Sequence, residues 1–190
     1  MNHRHLVALA LATLSFTAAA HVGEAHDHGG FLPGFLHPVT GLDHLAAMLA
    51  VGVWSAMTTR RMWLAPLSFA GLLLVGALLA QASVALPAIE PVIAASMLVV
   101  GLLVATRMKL PETVGAVLVG TFALFHGAAH GQELAGAGAL AGMVLGTALL
   151  HGAGMAIGLG LKQFNAWPAR LAGGVVALMG LNMAWGLLAG

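Results

Sequence analysis

Cysteine is absent from the 190-residue sequence, which excludes disulfides, thiolate metal ligands and a cysteine nucleophile. Charge is nearly as scarce, because Lys, Arg, Asp and Glu make up 7% of the residues, against about 25% in a soluble domain. A chain so poor in charge cannot cover a water-exposed surface, so a soluble globular enzyme and a disordered chain are both excluded. Seven basic residues against six acidic ones also offer no basic patch for nucleic acid.

Apolar residues are abundant instead, at 60% of the chain, and the mean hydropathy is +0.97. They form six runs, each long enough for a membrane-spanning helix that satisfies its own backbone groups. We therefore expect an all-α membrane protein with a six-helix domain over 40–190, embedded in the lipid bilayer. Two halves of three helices would have opposite orientations, which fits a 3+3 inverted repeat of the transporter kind. The runs are 40–58, 64–82, 88–106, 113–132, 135–161 and 169–188.

The first 39 residues have the pattern of an export signal followed by a leader. A short basic region precedes the apolar run 6–17, which is too short to span a bilayer, and Ala18–Ala20 fits a small-residue cleavage site. We expect a signal peptide over 1–20 that is removed, then a periplasmic leader over 21–39. The leader either gathers metal or is merely polar. Its histidines include His21, His26 and His28.

Basic residues predict the orientation of the helices. All those of the expected mature chain lie in the loops after the first, third and fifth spans, while the opposite loops carry Glu90 and Glu133 and no base. By the positive-inside rule the basic loops are cytoplasmic. This predicts a multi-pass protein of a bacterial inner membrane with both mature termini in the periplasm. The basic residues are Arg60, Arg61, Arg107, Lys109, Lys162 and Arg170.

Ionisable side chains inside the spans are candidates for function, since each costs roughly 2.5–3.5 kcal/mol on insertion. The first cluster is His37, Asp43 and His44. Pro38 suits the first turn of a helix, which would place His37 at the outer mouth and the other two side chains about 10 Å deeper. The two histidines are seven residues apart and share a helix face. Both a metal site and a helix cap with a buried Asp–His pair fit this pattern.

The second cluster is His126, His130 and Glu133, which lie on one stripe of a helix at the outer end of the fourth span. The stripe reaches the same depth as the first cluster from the same side. We therefore predict one metal site between the first and fourth spans, with His44 and His126 within metal-bridging range. Packed, hydrogen-bonded histidines are the alternative. Imidazole and carboxylate suit Zn, Ni, Co, Cu(II) or Fe(II) and argue against Cu(I).

The fifth span has two further features, a single histidine and a row of glycines. His151 is alone near the middle of the membrane, where it could bond a neighbouring helix or bind an ion. Glycines at every fourth position place small residues on one face, which predicts close approach of another helix. These glycines are Gly138, Gly142 and Gly146, followed by Gly154 and Gly158.

The two polar clusters resemble the motifs of the HupE/UreJ family of nickel permeases and accessory proteins. The family's His-x5-Asp-His matches His37, Asp43 and His44, and its Phe-His-Gly-x-Ala-His-Gly-x-Glu matches the segment 125–133. The resemblance implies a non-enzymatic permease that supplies hydrogenase or urease. Ni²⁺ would be its transported ion rather than a cofactor, and nickel-enzyme maturation proteins would be its partners. Cobalt stays open, because the first motif also looks like the His-x4-Asp-His of larger nickel/cobalt transporters.

Other functions stay open beside a permease: an intramembrane zinc hydrolase, or a metal sensor or chaperone without a transport path. The sequence lacks His-Glu-x-x-His and Gly-x-Ser-x-Gly, the signatures of two hydrolase classes. Ser96 could serve acyl transfer, but we expect no base near it. The P-loop is also absent, so ATP does not drive transport directly.

Overall fold

The structure, a computed structural model, describes residues 30–189, and every regular element in that range is an α-helix. The expected signal peptide and the histidines His21, His26 and His28 lie outside the described residues. The helices are α1 Phe31–Thr40, α2 Leu42–Thr58, α3 Leu64–Gln81, α4 Ile89–Thr106, α5 Glu112–Glu133, α6 Gly136–Leu161 and α7 Trp167–Ala189.

Five helices, α3 to α7, are long and apolar enough to cross a membrane. Their ends agree with the expected runs to within a few residues. The first expected span is different, because α2 is preceded by the separate helix α1 and the two axes meet at 81°. Counting this bent pair as one crossing would bring the number to six.

Helix α1 is the main departure from the sequence-based description. Its residues were assigned to the leader, and Pro38 was expected in the first turn of the first span. Pro38 instead lies near the end of α1, and Gly41 separates the two helices with an extended backbone (φ −85°, ψ 115°). Apart from His37 and Thr40 the segment consists of apolar residues, glycine and proline, and its helix packs on the bundle with Gly34 and Pro38 buried.

Helix α6 is the surface on which both parts of the bent pair pack. A side chain at Gly142 would collide with the backbone of Phe31 in α1. A side chain at Gly154 would collide with the backbone of Leu49 in α2. The glycine face predicted for the fifth span is thereby confirmed, and it brings α1 to the first half of α6 and α2 to the second half.

The remaining helices form two further close pairs, α3 with α5 and α4 with α7. Glycines lie at both contacts. In α5, Gly127 and Gly131 face the backbone of α3 at Leu73 and Ala77, with no room for a side chain. Each of these glycines follows a histidine, so close packing of the glycines on α3 leaves His126 and His130 on the adjacent, inward-facing side of α5.

At the opposite end of α5 from the histidines, Glu112 ties two loops together. Its Oε1 atom accepts hydrogen bonds from the backbone N–H groups of Arg60 and Arg61, at 3.1 and 2.9 Å. Nearby, the buried Trp54 donates from Nε1 to the carbonyl of Met108 at 2.8 Å. These bonds hold the C-terminal end of α2 next to the N-terminal end of α5.

Candidate metal centre

Three of the predicted residues form a compact triad at the outer edge of the cluster. His37 Nε2 lies 2.8 Å from His130 Nδ1 and 3.0 Å from Glu133 Oε2. The distance from His130 Nδ1 to Glu133 Oε2 is 4.0 Å. Two imidazoles and one carboxylate thus present one ligand atom each to a common point.

The triad has the dimensions of a first-row metal site. Metal–nitrogen and metal–oxygen bonds of about 2.0–2.2 Å put neighbouring ligand atoms about 3 Å apart in octahedral geometry and somewhat further apart in tetrahedral geometry. The three distances in the triad bracket those values. A divalent cation could therefore bind after small side-chain shifts, and it would replace the contacts that the free ligand atoms now make with one another.

Burial increases along the cluster. The side chain of Glu133 is 42% exposed and that of His37 is 22% exposed, whereas His130 has no exposed surface. Glu133 and His130 also lie in the last turn of α5, where the partial negative charge of the helix end favours a cation. The triad therefore connects the surface of the protein to its buried interior.

A second pair of imidazoles lies deeper, between α2 and α5. His126 Nδ1 is 3.4 Å from His44 Nδ1, which confirms that these two residues come within metal-bridging range. The ring of His44 is also 4.3 Å from that of His130, centroid to centroid. The four imidazoles thus form a continuous series in the order His37, His130, His44 and His126.

The helices that carry this pair are not close neighbours. Helix α2 packs chiefly on α6, and α5 packs chiefly on α3. His44 and His126 meet across the space between these two helix pairs through their side chains. The expected adjacency of the first and fourth spans therefore holds for the imidazoles but not for tight packing of the helices.

Asp43 lies beside this series rather than within the triad. Its Oδ2 atom is 3.7 Å from His44 Nε2, and its side chain is 30% exposed. This distance is too long for a hydrogen bond but close enough for a charge to act on the imidazole. Asp43 is therefore placed to orient His44 or to join its coordination shell.

Ser96 is a site residue whose role the sequence did not reveal. Its Oγ lies 2.8 Å from His126 Nε2, so the expectation that no base lies near Ser96 is wrong. The same Oγ also donates to the carbonyl of Ile93 at 2.7 Å. A serine has one hydroxyl proton and a carbonyl can only accept, so His126 must donate from Nε2 to Ser96.

This hydrogen-bond direction determines what His126 can do. With the proton on Nε2, Nδ1 is unprotonated and its lone pair faces His44. His126 is thus in the tautomer that binds a metal through Nδ1. It is also in the wrong tautomer to take a proton from Ser96, which argues against acyl transfer at that hydroxyl.

The break between α1 and α2 explains how the first cluster reaches the second. His37 is on α1, whereas Asp43 and His44 begin α2 beyond Gly41. Because the chain turns by 81° there, His37 reaches the triad while His44 reaches His126. The structure thus brings all six sequence-predicted residues into one cluster. His151 is not a member, although the ring of Phe69 lies next to both His126 and His151.

Apolar helices surrounding a cluster of imidazole and carboxylate groups define a multi-pass helical membrane protein with a candidate divalent-metal centre. The chain belongs to the HupE/UreJ family, since the family model described as HupE / UreJ protein matches residues 9–183. It is also similar to Protein HupE of Rhizobium leguminosarum bv. viciae, with 42% identity over 189 residues that cover 95% of each chain. No solved structure matches the chain. The family resemblance drawn from the two motifs is thereby confirmed.

Proposed function

We propose that this protein is a permease for a divalent transition metal, with Ni²⁺ as its main ion and Co²⁺ as the alternative. The observation that carries the proposal is the continuous series of four imidazoles, which has the half-exposed Glu133 at one end and the buried His126 at the other. A purely structural cluster would not need ligand groups that continue from the surface into the interior. Imidazole and carboxylate ligands also suit these ions.

The order of the side chains along the series suggests how the ion enters. The carboxylate of Glu133 attracts the hydrated cation, and His37 and His130 replace part of its water shell. The ion then passes to His44 and His126, with Asp43 balancing its charge beside His44. Because each step exchanges similar ligands over a few ångströms, no single site needs to hold the ion so tightly that it cannot leave.

The packing supports six crossings with a broken first span. Helix α6 is about 39 Å long at 1.5 Å per residue, long enough to cross a bilayer. Helices α1 and α2 accompany its first and second halves in turn, as one interrupted crossing would. Transporters commonly place ion sites at such interruptions. Here the break lies next to His37, Asp43 and His44.

The helix pairs also fit a 3+3 inverted repeat. Taking α1 and α2 as the first span, the main contacts join spans one and five, two and four, and three and six. Exchanging the first three spans with the last three leaves this set of contacts unchanged.

The positive-inside rule gives the orientation of the protein. With the basic loops in the cytoplasm, the triad opens to the periplasm of a bacterial inner membrane. Imported nickel would supply a nickel enzyme such as hydrogenase or urease through its maturation proteins.

Uptake by the purified protein in liposomes tests the proposal. Ni²⁺, Co²⁺ or Zn²⁺ is added outside, and a fluorescent chelator inside reports entry. We expect Ni²⁺ or Co²⁺ to enter faster than into empty liposomes, and Glu133→Gln to slow entry at least about tenfold. Gln132→Ala is the matched control, because Gln132 is exposed on the same turn of α5.

Two results would overturn the proposal. The first is metal entry no faster than into empty liposomes, from protein that retains its helical content. The second is an equal rate for Glu133→Gln and Gln132→Ala. Hydrolysis of a lipid or peptide by the same preparation, without transport, would favour an intramembrane hydrolase instead.

A further inference from the structure

We infer that Thr147 and His151 on α6 form a second, inner site for the transported divalent cation. The inference rests on the proposed function, which it extends by a second station. The two residues are one helical turn apart and on the same face of α6. Thr147 has no exposed surface and His151 is 1% exposed.

The polar side-chain atoms of this pair make no well-formed hydrogen bond among residues 30–189, although the ring of His151 lies close to the backbone of Thr147 one turn earlier. These atoms are Oγ1 of Thr147 and both ring nitrogens of His151. A buried polar group without a hydrogen bond costs about 1–3 kcal/mol, and such groups in native proteins commonly indicate a missing water or ion. Three of them on one turn of a membrane helix indicate a place for something polar to bind.

One aromatic ring lies next to both the outer series of imidazoles and the inner pair. The ring of Phe69 is 5.8 Å from that of His126 and 4.9 Å from that of His151, centroid to centroid. Phe69 is itself buried, so the last imidazole of the outer cluster and the imidazole of the inner pair share a buried apolar neighbour. An ion that reaches His126 would find its next imidazole beside the same ring.

The ligands suit a station that releases its ion. One imidazole nitrogen and one hydroxyl oxygen bind a transition metal less strongly than the two imidazoles and carboxylate of the outer triad. Conduction requires sites that fill and then empty again. A weak inner site after a stronger outer one meets that requirement, and water can complete the coordination shell.

Close packing holds the inner pair in place. A side chain at Gly52 of α2 would collide with the backbone carbonyl of His151. The backbone of α2 therefore lies directly against α6 at this turn. The same helix α2 carries His44, so α2 contributes to the outer cluster and packs directly against the inner pair.

Co²⁺ titration of the purified full chain, followed by its absorption spectrum, tests the inference. We expect two Co²⁺ ions per wild-type chain, one bound more tightly than the other. His151→Leu should lose only the weaker ion, and Thr147→Val should weaken it about tenfold. Thr121→Val is the matched control, since Thr121 is exposed on α5 and its hydroxyl bonds its own helix.

Thermal unfolding of the metal-free protein separates an ion site from a structural histidine. If the ring nitrogens are unpartnered, His151→Leu should unfold at a temperature equal to or above the wild type, because it removes buried polar atoms. A lower unfolding temperature would mean that the imidazole makes stabilising contacts, and would overturn the inner site. Retained tight binding of the first Co²⁺ serves as the test of correct folding.

The two proposals can fail separately. If the wild type transports metal and His151→Leu keeps both bound ions and the full uptake rate, the inner site is wrong and the permease stands. If two ions bind with the expected dependence on His151 but no metal enters liposomes, the inner site stands and the permease is wrong.

Discussion

Each imidazole of the metal centre differs from the others in its partners. His37 contacts a carboxylate and another imidazole, whereas His126 donates to a hydroxyl and presents its free nitrogen to His44. One buried nitrogen of His130, Nε2, has no partner within residues 30–189. The four imidazoles therefore differ in which ring nitrogen is free to bind a metal, because different nitrogens already have hydrogen-bond partners.

Asp43→Asn should abolish most metal uptake while leaving the protein in the membrane. The change keeps the shape of the side chain but removes the charge that acts on His44, 3.7 Å away. Loss of a group next to a metal ligand typically lowers affinity about 10–100-fold. The liposome assay measures the effect at matched protein amounts, and wild-type uptake would return Asp43 to a purely structural role.

Ser96→Ala should weaken metal binding by releasing the tautomer of His126. Without the Oγ acceptor, the proton is no longer held on Nε2, and metal affinity should fall about tenfold. The ¹⁵N chemical shifts of the two ring nitrogens of His126 report the tautomer directly. Ser68→Ala is the control, because the hydroxyl of Ser68 bonds the carbonyl of Ala116 and contacts no site histidine within residues 30–189. Unchanged nitrogen shifts in Ser96→Ala would contradict the assignment.

At the scale of helices, glycine determines which faces can touch. Gly127 and Gly131 let α5 lie directly on α3, and the glycines of α6 do the same for the bent pair. The glycine after each of the two α5 histidines is thus as important to the geometry as the histidine itself. The interruption at Gly41 separates His37 from His44. A straight helix could not direct these two side chains to different parts of the site.

Gly127→Ala should lower the stability of the protein, whereas Gly71→Ala should not. A Cβ at position 127 would collide with the carbonyl of Leu73, but a Cβ at position 71 meets nothing within 4 Å. Overpacking of this kind costs about 1–3 kcal/mol. Replacing the open helical glycine should be neutral or stabilising by up to about 1 kcal/mol. Thermal unfolding in detergent compares the two, and equal effects would mean that α3 and α5 are not in close contact.

At the scale of the whole molecule, the absence of cysteine makes the orientation directly measurable. A single introduced cysteine is the only thiol in the chain. Ala85→Cys lies between α3 and α4, and Gln163→Cys lies between α6 and α7, both at exposed positions. A maleimide that cannot cross membranes should label position 85 in cells with a permeabilised outer membrane. It should label position 163 only after the inner membrane is broken. The reverse pattern would invert the topology.

The sequence by itself determined the helical segments and the candidate ligands. Apolar run lengths and the positions of Gly, Pro and charge are local properties, so the ends of α3 to α7 could be predicted closely. The i, i+4 and i, i+7 spacings placed His126, His130 and Glu133 on one stripe in the same way. Helix α1 was not predicted, because a ten-residue apolar segment with two prolines is too short to indicate a membrane crossing.

Only the tertiary structure decided which of these groups meet. His37 and His130 are 93 positions apart, and Ser96 and His126 are 30 apart. No period within one helix relates residues on different helices. Their contacts depend on which helix faces carry residues small enough for close packing. They also depend on the 81° break that turns α1 relative to α2. Which helices pack together depends on the whole bundle, because a glycine face that is buried against one helix cannot pack against another.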